Sequence, residues 1–374
     1  MNPSARLDIH LQQLADNART VTDWCHQSGI EIAGVVKAAC GDARIARAFT
    51  QGGIDMLADS RLENIDRLRR AGLQQPMLLL RSPSPSQASQ VVEQCDLSLN
   101  SELASLRALS ATAEQLGKRH AVILMVELGD RREGILPGRL PDMVARIQDL
   151  PGLDLVGIGT NLGCIGGVRT TEYNLGQLVQ CAERVEQQLQ RSLRYISGGN
   201  SGALPLLLQQ RIPERINHLR IGFTILQGKN PFTDQPLPGL NTGLFTLNAE
   251  LIEIQTKASM PEGDIVVDAF GHVPQFEDRG DRIRGIVGFG RLDTDLATLL
   301  PRDPGVEVLG ASSDHLVLDL TESRPWRVGD SLSFDLGYGA SVQGILSPYV
   351  RKTFIHDAQA DRGHRHRAAP RSVE

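Results

Sequence analysis

Ile32-Ala33-Gly34-Val35-Val36-Lys37, continuing as Ala38-Ala39-Cys40-Gly41-Asp42, is a short apolar run that stops on a lysine. A run of this kind reads as a buried strand. A lysine at its end either extends its ammonium to solvent or sits in a pocket. An amine held in an apolar, electropositive pocket can give up its proton and form a Schiff base with a carbonyl. Taken alone, the solvent-exposed reading is the simpler one. The pattern on either side of the run changes the balance.

Upstream, residues 5–28 place Leu7, Ile9, Leu11, Leu14 and Ala18 at mainly helical spacing, with Gly29 as a stop. Downstream, the spacing predicts strands at 56–59, 76–80, 96–99, 121–128, 153–159, 194–197 and 218–221. Helices are predicted between them at 42–51, 61–71, 86–94, 101–116, 141–148, 173–190 and 204–210. With the strand ending at Lys37, these are the eight strands of a (β/α)8 TIM barrel, an α/β fold. Near-continuous apolar strands fit a parallel barrel, whose strands are buried on both faces. Barrel active sites lie at the C-terminal strand ends. Those ends carry Lys37, Ser60, Arg81, Asn100, Arg132, Asn161, Asn200, Ser201 and Arg220. The ring is cationic and short of carboxylates, which suits an anionic, phosphorylated ligand.

After Gly228 the pattern changes. Pro231, Pro236, Pro238 and Gly239 read as a linker, and strands are expected over 247–256, 264–270, 282–290, 306–309, 315–320 and 331–336. We therefore expect a barrel domain at 5–232 and an all-β C-terminal domain at 240–355. The Arg- and His-rich stretch 358–374 has no periodicity and reads as a disordered tail with solvated histidines.

A formal net charge of −5 over 374 residues gives no basic surface for nucleic acid. No apolar run is long enough to span a membrane, and the N-terminus does not resemble a signal peptide. The five scattered cysteines fit reduced thiols. These features lead us to expect a cytoplasmic protein.

Six motifs, in order along the chain, resemble the alanine racemase family, enzymes that use pyridoxal 5'-phosphate (PLP). They are Gly34-Val35-Val36-Lys37-Ala38, the segment Val126 to Gly134, Gly157-Ile158-Gly159-Thr160-Asn161, Gly199-Asn200-Ser201, Leu219-Arg220-Ile221-Gly222, and Gly310 to His315 with Val328-Gly329-Asp330. The phrases GIGTNLGC (157–164), SGGNS (197–201), FEDRG (276–280) and GASSDHL (310–316) resemble the ornithine racemase branch rather than alanine racemase itself. The resemblance implies interconversion of L- and D-amino acids, with a basic amino acid such as ornithine or lysine as substrate.

By the same resemblance, Lys37 would hold PLP and move the Cα proton on one face. Asn200, Ser201 and Gly222 would receive the phosphate, with Tyr338 of Leu336-Gly337-Tyr338-Gly339 as a further phosphate partner. Arg220 would face the pyridine nitrogen, and Asn161 stands where the family has a histidine beneath the ring. Arg132 would bond the cofactor phenolate or the substrate carboxylate. The family completes each site with a tyrosine from the partner subunit of a homodimer. The equivalent segment here, Val267-Asp268-Ala269-Phe270-Gly271-His272, has no tyrosine. Two-base racemisation needs an acid on each face, and Asp268, His272, Asp314 and His315 stay open as candidates. Two further readings are a decarboxylase of the same fold type and a PLP carrier without turnover. The absence of any cysteine after Cys181 weighs against the first, and the β-domain against the second.

Overall fold

The computed structural model describes residues 5–355. Strand β1 (Ala5–His10) and helix α1 (Leu11–Gln27) precede eight parallel strands: β2 (Glu31–Val35), β3 (Met56–Asp59), β4 (Met77–Leu79), β5 (Leu97–Asn100), β6 (His120–Met125), β7 (Leu153–Gly159), β8 (Tyr195–Ser197) and β9 (His218–Ile221). They close into a barrel in chain order. The helices between them are α2 (Ala43–Gln51), α3 (Leu62–Arg70), α4 (Ala88–Gln94), α5 (Leu103–Gln115), α6 (Leu140–Gln148), α7 (Glu172–Leu189) and α8 (Leu204–Leu208), with α9 (Phe223–Gln227) after β9. Alternate strand residues face alternate sides. Ala33 and Val35, Met56 and Ala58, Leu97 and Leu99, and Ile123 and Met125 therefore fill the barrel interior as a core of their own. The residues between them, among them Ile32, Leu57 and Leu124, join the larger core under the helices. This double burial produces the unbroken apolar runs seen in the sequence.

The C-terminal part comprises β10 (Phe245–Ala258), β11 (Asp281–Val287), β12 (Leu299–Pro301), β13 (Glu307–Ala311), β14 (Leu316–Asp319), β15 (Ser331–Leu336), α10 (Tyr338–Leu346) and β16 (Arg351–Ile355). Its sheet runs in the order β12-β15-β10-β11-β14-β13. The all-β domain and the barrel are therefore both present as expected.

Two local readings are corrected. Residues 5–10 are a strand, not the start of a helix, and they belong to the C-terminal sheet. There, β1 pairs antiparallel with β10, placing Leu7 opposite Leu247, and parallel with β16, placing Ile9 opposite Phe354. Ala5, Leu7 and Ile9 are buried at period two, and the strand passes directly into α1 at Leu11. The expected strand at 264–270 is irregular loop, because no neighbouring strand pairs with it. Strand β15 ends at Leu336 as expected, and helix α10, which was not foreseen, begins at Tyr338.

All five cysteines are free. Among the described residues no helix is long and apolar enough to cross a membrane, and no group of metal-ligating side chains comes together. The 358–374 tail lies outside the described residues.

Two barrel histidines make stability depend on pH. His120 is buried against the Ser98 hydroxyl at 2.8 Å, and burial pushes its pKa down to about 4. His218 is fully buried and burial, aided by Arg220 and Arg194, pushes it down to about 3. Both values lie below that of an unfolded histidine, so the stabilisation is complete above pH ~6.5 and is lost as the pH falls toward 4. Each histidine should contribute a slope of about 1.4 kcal/mol per pH unit in that window. Denaturant unfolding between pH 7.5 and 5 should show stability falling, and His120→Gln should flatten the slope.

Candidate active site

A cavity of ≈ 310 Å³ opens at the C-terminal end of the barrel. Lys37, Arg132, Asn161, Asn200, Ser201, Arg220, Gly222 and Tyr338 all line it. Every cofactor-binding residue expected from the sequence is thus brought to one place. The strand-end residues Ser60, Arg81 and Asn100 are not among its lining residues.

Lys37 sits where β2 gives way to a 3-10 turn over Lys37–Ala39. Val35 faces the barrel interior and Val36 the outer core, so Lys37 returns to the inward side at the mouth. The Val36 N–H donates to the Ala58 carbonyl at 2.9 Å, which fixes the strand end against β3. Gly222 closes the other flank. A Cβ there would lie 2.8 Å from the Val35 carbonyl oxygen, so the β9 exit can approach β2 this closely only as glycine.

Arg220 lies at the floor. Its guanidinium is buried and donates to the Ser197 hydroxyl and, at 2.6 Å, to the Thr160 carbonyl. Because arginine only donates, Ser197 Oγ accepts from it, and the same oxygen lies 2.7 Å from His218 Nδ1. Burial keeps His218 neutral. Burial pulls the Arg220 pKa down to about 10, opposed by Glu133 and reinforced by Arg132. It remains a cation at neutral pH.

On the β8 side, Asn200 Oδ1 accepts from Gly202 N at 2.8 Å, while its Nδ2 donates to the Leu162 carbonyl at 2.7 Å and to Asn161 Oδ1 at 3.2 Å. Ser201 Oγ accepts from Thr224 N at 3.2 Å, tying this turn to α9. Tyr338, on α10, reaches in beside Phe223 with ring centroids 5.7 Å apart. Burial raises its pKa, so its hydroxyl is a neutral donor.

The loop after β6 was only partly legible. Glu127 accepts from Gly129 N and from Arg132 N at 3.2 Å, and buried Asp130 accepts from Cys164 N at 3.1 Å and Ile165 N at 3.2 Å. Thus anchored, the loop presents Arg132 and Glu133 together. Glu133 takes both forks of Arg132, the Nη2–Oε1 distance being 2.5 Å. Sequence reasoning missed Glu133, Cys164 and Phe223, which also line the cavity. The signal for Glu133 lay in the motif itself, next to Arg132.

The four open acid/base candidates lie elsewhere, on the β-domain. Asp268 Oδ1 accepts from Phe270 N at 2.8 Å and His272 N at 2.9 Å, and these bonds hold its pKa below the usual carboxylate range. The His272 ring lies 3.6 Å from the same oxygen. Arg291 bridges to the second pair. Its guanidinium approaches Asp268 at 3.9 Å and stacks over Phe270, while its N–H donates to the Ser312 carbonyl in the turn that carries Asp314 and His315. None of the four lines the cavity of their own chain.

A closed parallel barrel with a lysine and a buried arginine at its mouth, followed by a β-domain, defines a class of barrel enzymes with an amine and anion-binding groups in one site. The model of the alanine racemase N-terminal domain matches residues 9–230. The chain belongs to the alanine racemase family. It is 38% identical over 357 residues to the ornithine racemase of Acetoanaerobium sticklandii, covering 95% of this chain and 100% of that one. It is 36% identical to the lysine racemase of Thermotoga maritima, covering 93% and 98%. The fold matches the alanine racemase of Bartonella henselae with covalently bound pyridoxal phosphate, at TM-score 0.72 and 17% identity over 95% of this chain and 100% of that one. It also matches alanine racemase from Streptomyces coelicolor A3(2), at TM-score 0.73 and 20% identity over 95% and 98%.

Ser197→Ala should remove the hydroxyl shared by Arg220 and His218. Leaving a buried guanidinium underbonded should cost about 1–3 kcal/mol, measurable as a lowered denaturation midpoint with an unchanged m-value.

Proposed function

We propose that the protein is a PLP-dependent racemase that interconverts the enantiomers of a basic amino acid, ornithine or lysine. The observation that carries the reading is the convergence of the Lys37 amine, the buried Arg220 cation and the Asn200-Ser201 turn on one barrel-mouth cavity. The donor set fits PLP: an amine for its aldehyde, donors for its phosphate, and the apolar walls Val35, Leu80, Leu99 and Phe223 for its ring. When bound, PLP supplies an electron sink that lets an amino-acid Cα–H ionise.

Lys37 would anchor the cofactor and then, as a free amine, remove or return the Cα proton on one face. Arg220 would donate to the ring nitrogen. Since it stays charged and cannot accept, that nitrogen is kept unprotonated, which limits charge delocalisation and favours clean reprotonation at Cα. Asn200, Ser201, Gly222 and Tyr338 would hold the phosphate, and Asn161 would lie against the ring.

The opposite face needs a second proton carrier, and we assign it to the Asp268, His272, Asp314 and His315 cluster of a partner subunit in a two-fold homodimer. Two features support this. The four residues do not line their own cavity, and the loop carrying Asp268 exposes Ile265, Val266, Val267, Phe270, Val273 and Phe276. Exposed apolar side chains concentrated in one loop fit a surface covered by another chain.

The purified protein should be yellow, and borohydride should fix the cofactor to Lys37. Lys37→Ala should lose the fixed adduct, and labelling at Lys229 or Lys257 instead would reject the assignment. Single enantiomers of ornithine and lysine in D₂O should exchange the Cα hydrogen and build up the opposite enantiomer. Carbon dioxide and a diamine would mark a decarboxylase; no reaction would mark a carrier. Sedimentation should give a dimer. Mixing inactive Lys37→Ala with a variant inactivated at the β-domain cluster should restore activity through hybrid dimers, whereas a fully active monomer would exclude a shared site.

A further inference from the structure

The cavity wall carries three cationic side chains, Lys37, Arg132 and Arg220, and among the described residues a single carboxylate, Glu133. Glu133 occupies the Arg132 fork through two parallel bonds, the geometry in which arginine binds a free carboxylate. The backbone bonds from Gly129 and Arg132 to Glu127, and from Cys164 and Ile165 to Asp130, hold the loop so that the pair lines the cavity at its rim, with Arg132 exposed and Glu133 half-buried. Glu133 also acts across the space, opposing the loss of charge on Arg220.

We propose that Glu133 is the specificity-determining residue for basic substrates and works by exchange. The substrate α-carboxylate takes the Arg132 fork, and the displaced Glu133 turns to the terminal ammonium of the same substrate. This rests on the racemase reading above. Before binding there is one ion pair, Arg132 with Glu133. Afterwards there are two, Arg132 with the α-carboxylate and Glu133 with the distal ammonium. An amino acid with a neutral side chain breaks the first pair and leaves Glu133 without a hydrogen-bonded cation, with only the more distant field of Arg220 to offset its charge. The selection against alanine thus comes from an unpaired carboxylate, a penalty on the wrong ligand.

The test compares ornithine with norvaline, which matches it in chain length but lacks the terminal amine. Glu133→Gln keeps the shape and removes the charge. Its kcat/KM for ornithine should fall by about 30-fold or more, the low end for a desolvated charge pair. Norvaline should be unchanged or improved, and Glu133→Asp should recover part of the ornithine preference. Calorimetry on borohydride-reduced enzyme, which binds without turnover, should show the same loss of preference. Equal losses for both substrates, or no loss for either, would overturn the proposal. So would a preference that survives Glu133→Gln but disappears in Asp314→Asn or Asp268→Asn, because the ammonium would then be held by the β-domain. A wild-type enzyme that exchanges neither ornithine nor lysine rejects the racemase reading and this inference together; the other adverse outcomes reject the inference alone.

Discussion

The buried guanidinium of Arg220 is the constraint around which the barrel mouth is arranged. A charge taken out of water costs several kcal/mol unless it is hydrogen-bonded and paired. Here Ser197 Oγ and the Thr160 carbonyl accept from it, and Glu133 lies close enough to favour its charge. Those acceptors come from the ends of β7 and β8, while the arginine comes from β9, so one side chain locks three neighbouring strands. The constraint extends further. The Ser197 hydroxyl that serves Arg220 also pairs with His218 Nδ1 at 2.7 Å, and burial keeps that imidazole neutral, so no second positive charge stands beside the guanidinium.

Lysine and arginine then divide two tasks that need opposite environments. On the racemase reading Lys37 has to be free to react, and it stands on a turn, exposed, with an apolar strand below it. Arg220 has to stay charged, and it is enclosed by acceptors. Their separation depends on close packing rather than on charge. Gly222 lets β9 touch Val35, which brings the arginine strand directly beside the lysine strand. Helix α10 packs on the Lys37–Ala39 turn from the C-terminal domain and delivers Tyr338. The N-terminal strand β1 completes that domain before α1 leads the chain into the barrel. Both chain ends therefore brace the domain that closes the mouth.

How much of this could be read from sequence followed burial. Strands enclosed on both faces leave an unmistakable apolar run, and each barrel strand was legible. Strand β1 was not. Ala5, Leu7 and Ile9 alternate, but Leu11 and Leu14 continue the apolar positions at helical spacing, and the two periods merge at the junction. The partners that decide the issue, Leu247 and Phe354, are far away in the chain. Residues 264–270 failed in the opposite sense. Ile265-Val266-Val267 has strand composition, but β propensity reflects packing against neighbouring strands, and no strand among the described residues pairs with this segment. Glu133 was overlooked because a glutamate after two arginines reads as a surface salt bridge. Only the fold shows that the pair lines the rim of the cavity.

That unpaired apolar loop also explains the placement of the charges. The cavity is cationic, with Lys37, Arg132 and Arg220 against Glu133 alone. The β-domain carries the candidate acid/base groups, Asp268, His272, Asp314 and His315, near Arg291. A site that both grips an anionic cofactor and moves protons on two faces needs both sets of groups. Asp268 is carried on a loop whose exposed apolar side chains seek cover, and a second copy of the chain could supply that cover. Asp268 would then meet its partner's cationic mouth as an ionised group with its oxygen already fixed by two backbone N–H bonds. Complementary charge on the two surfaces would orient the encounter. On the racemase reading, association and completion of the proton path become a single event, because the surface that hides the loop is the one that delivers its carboxylate.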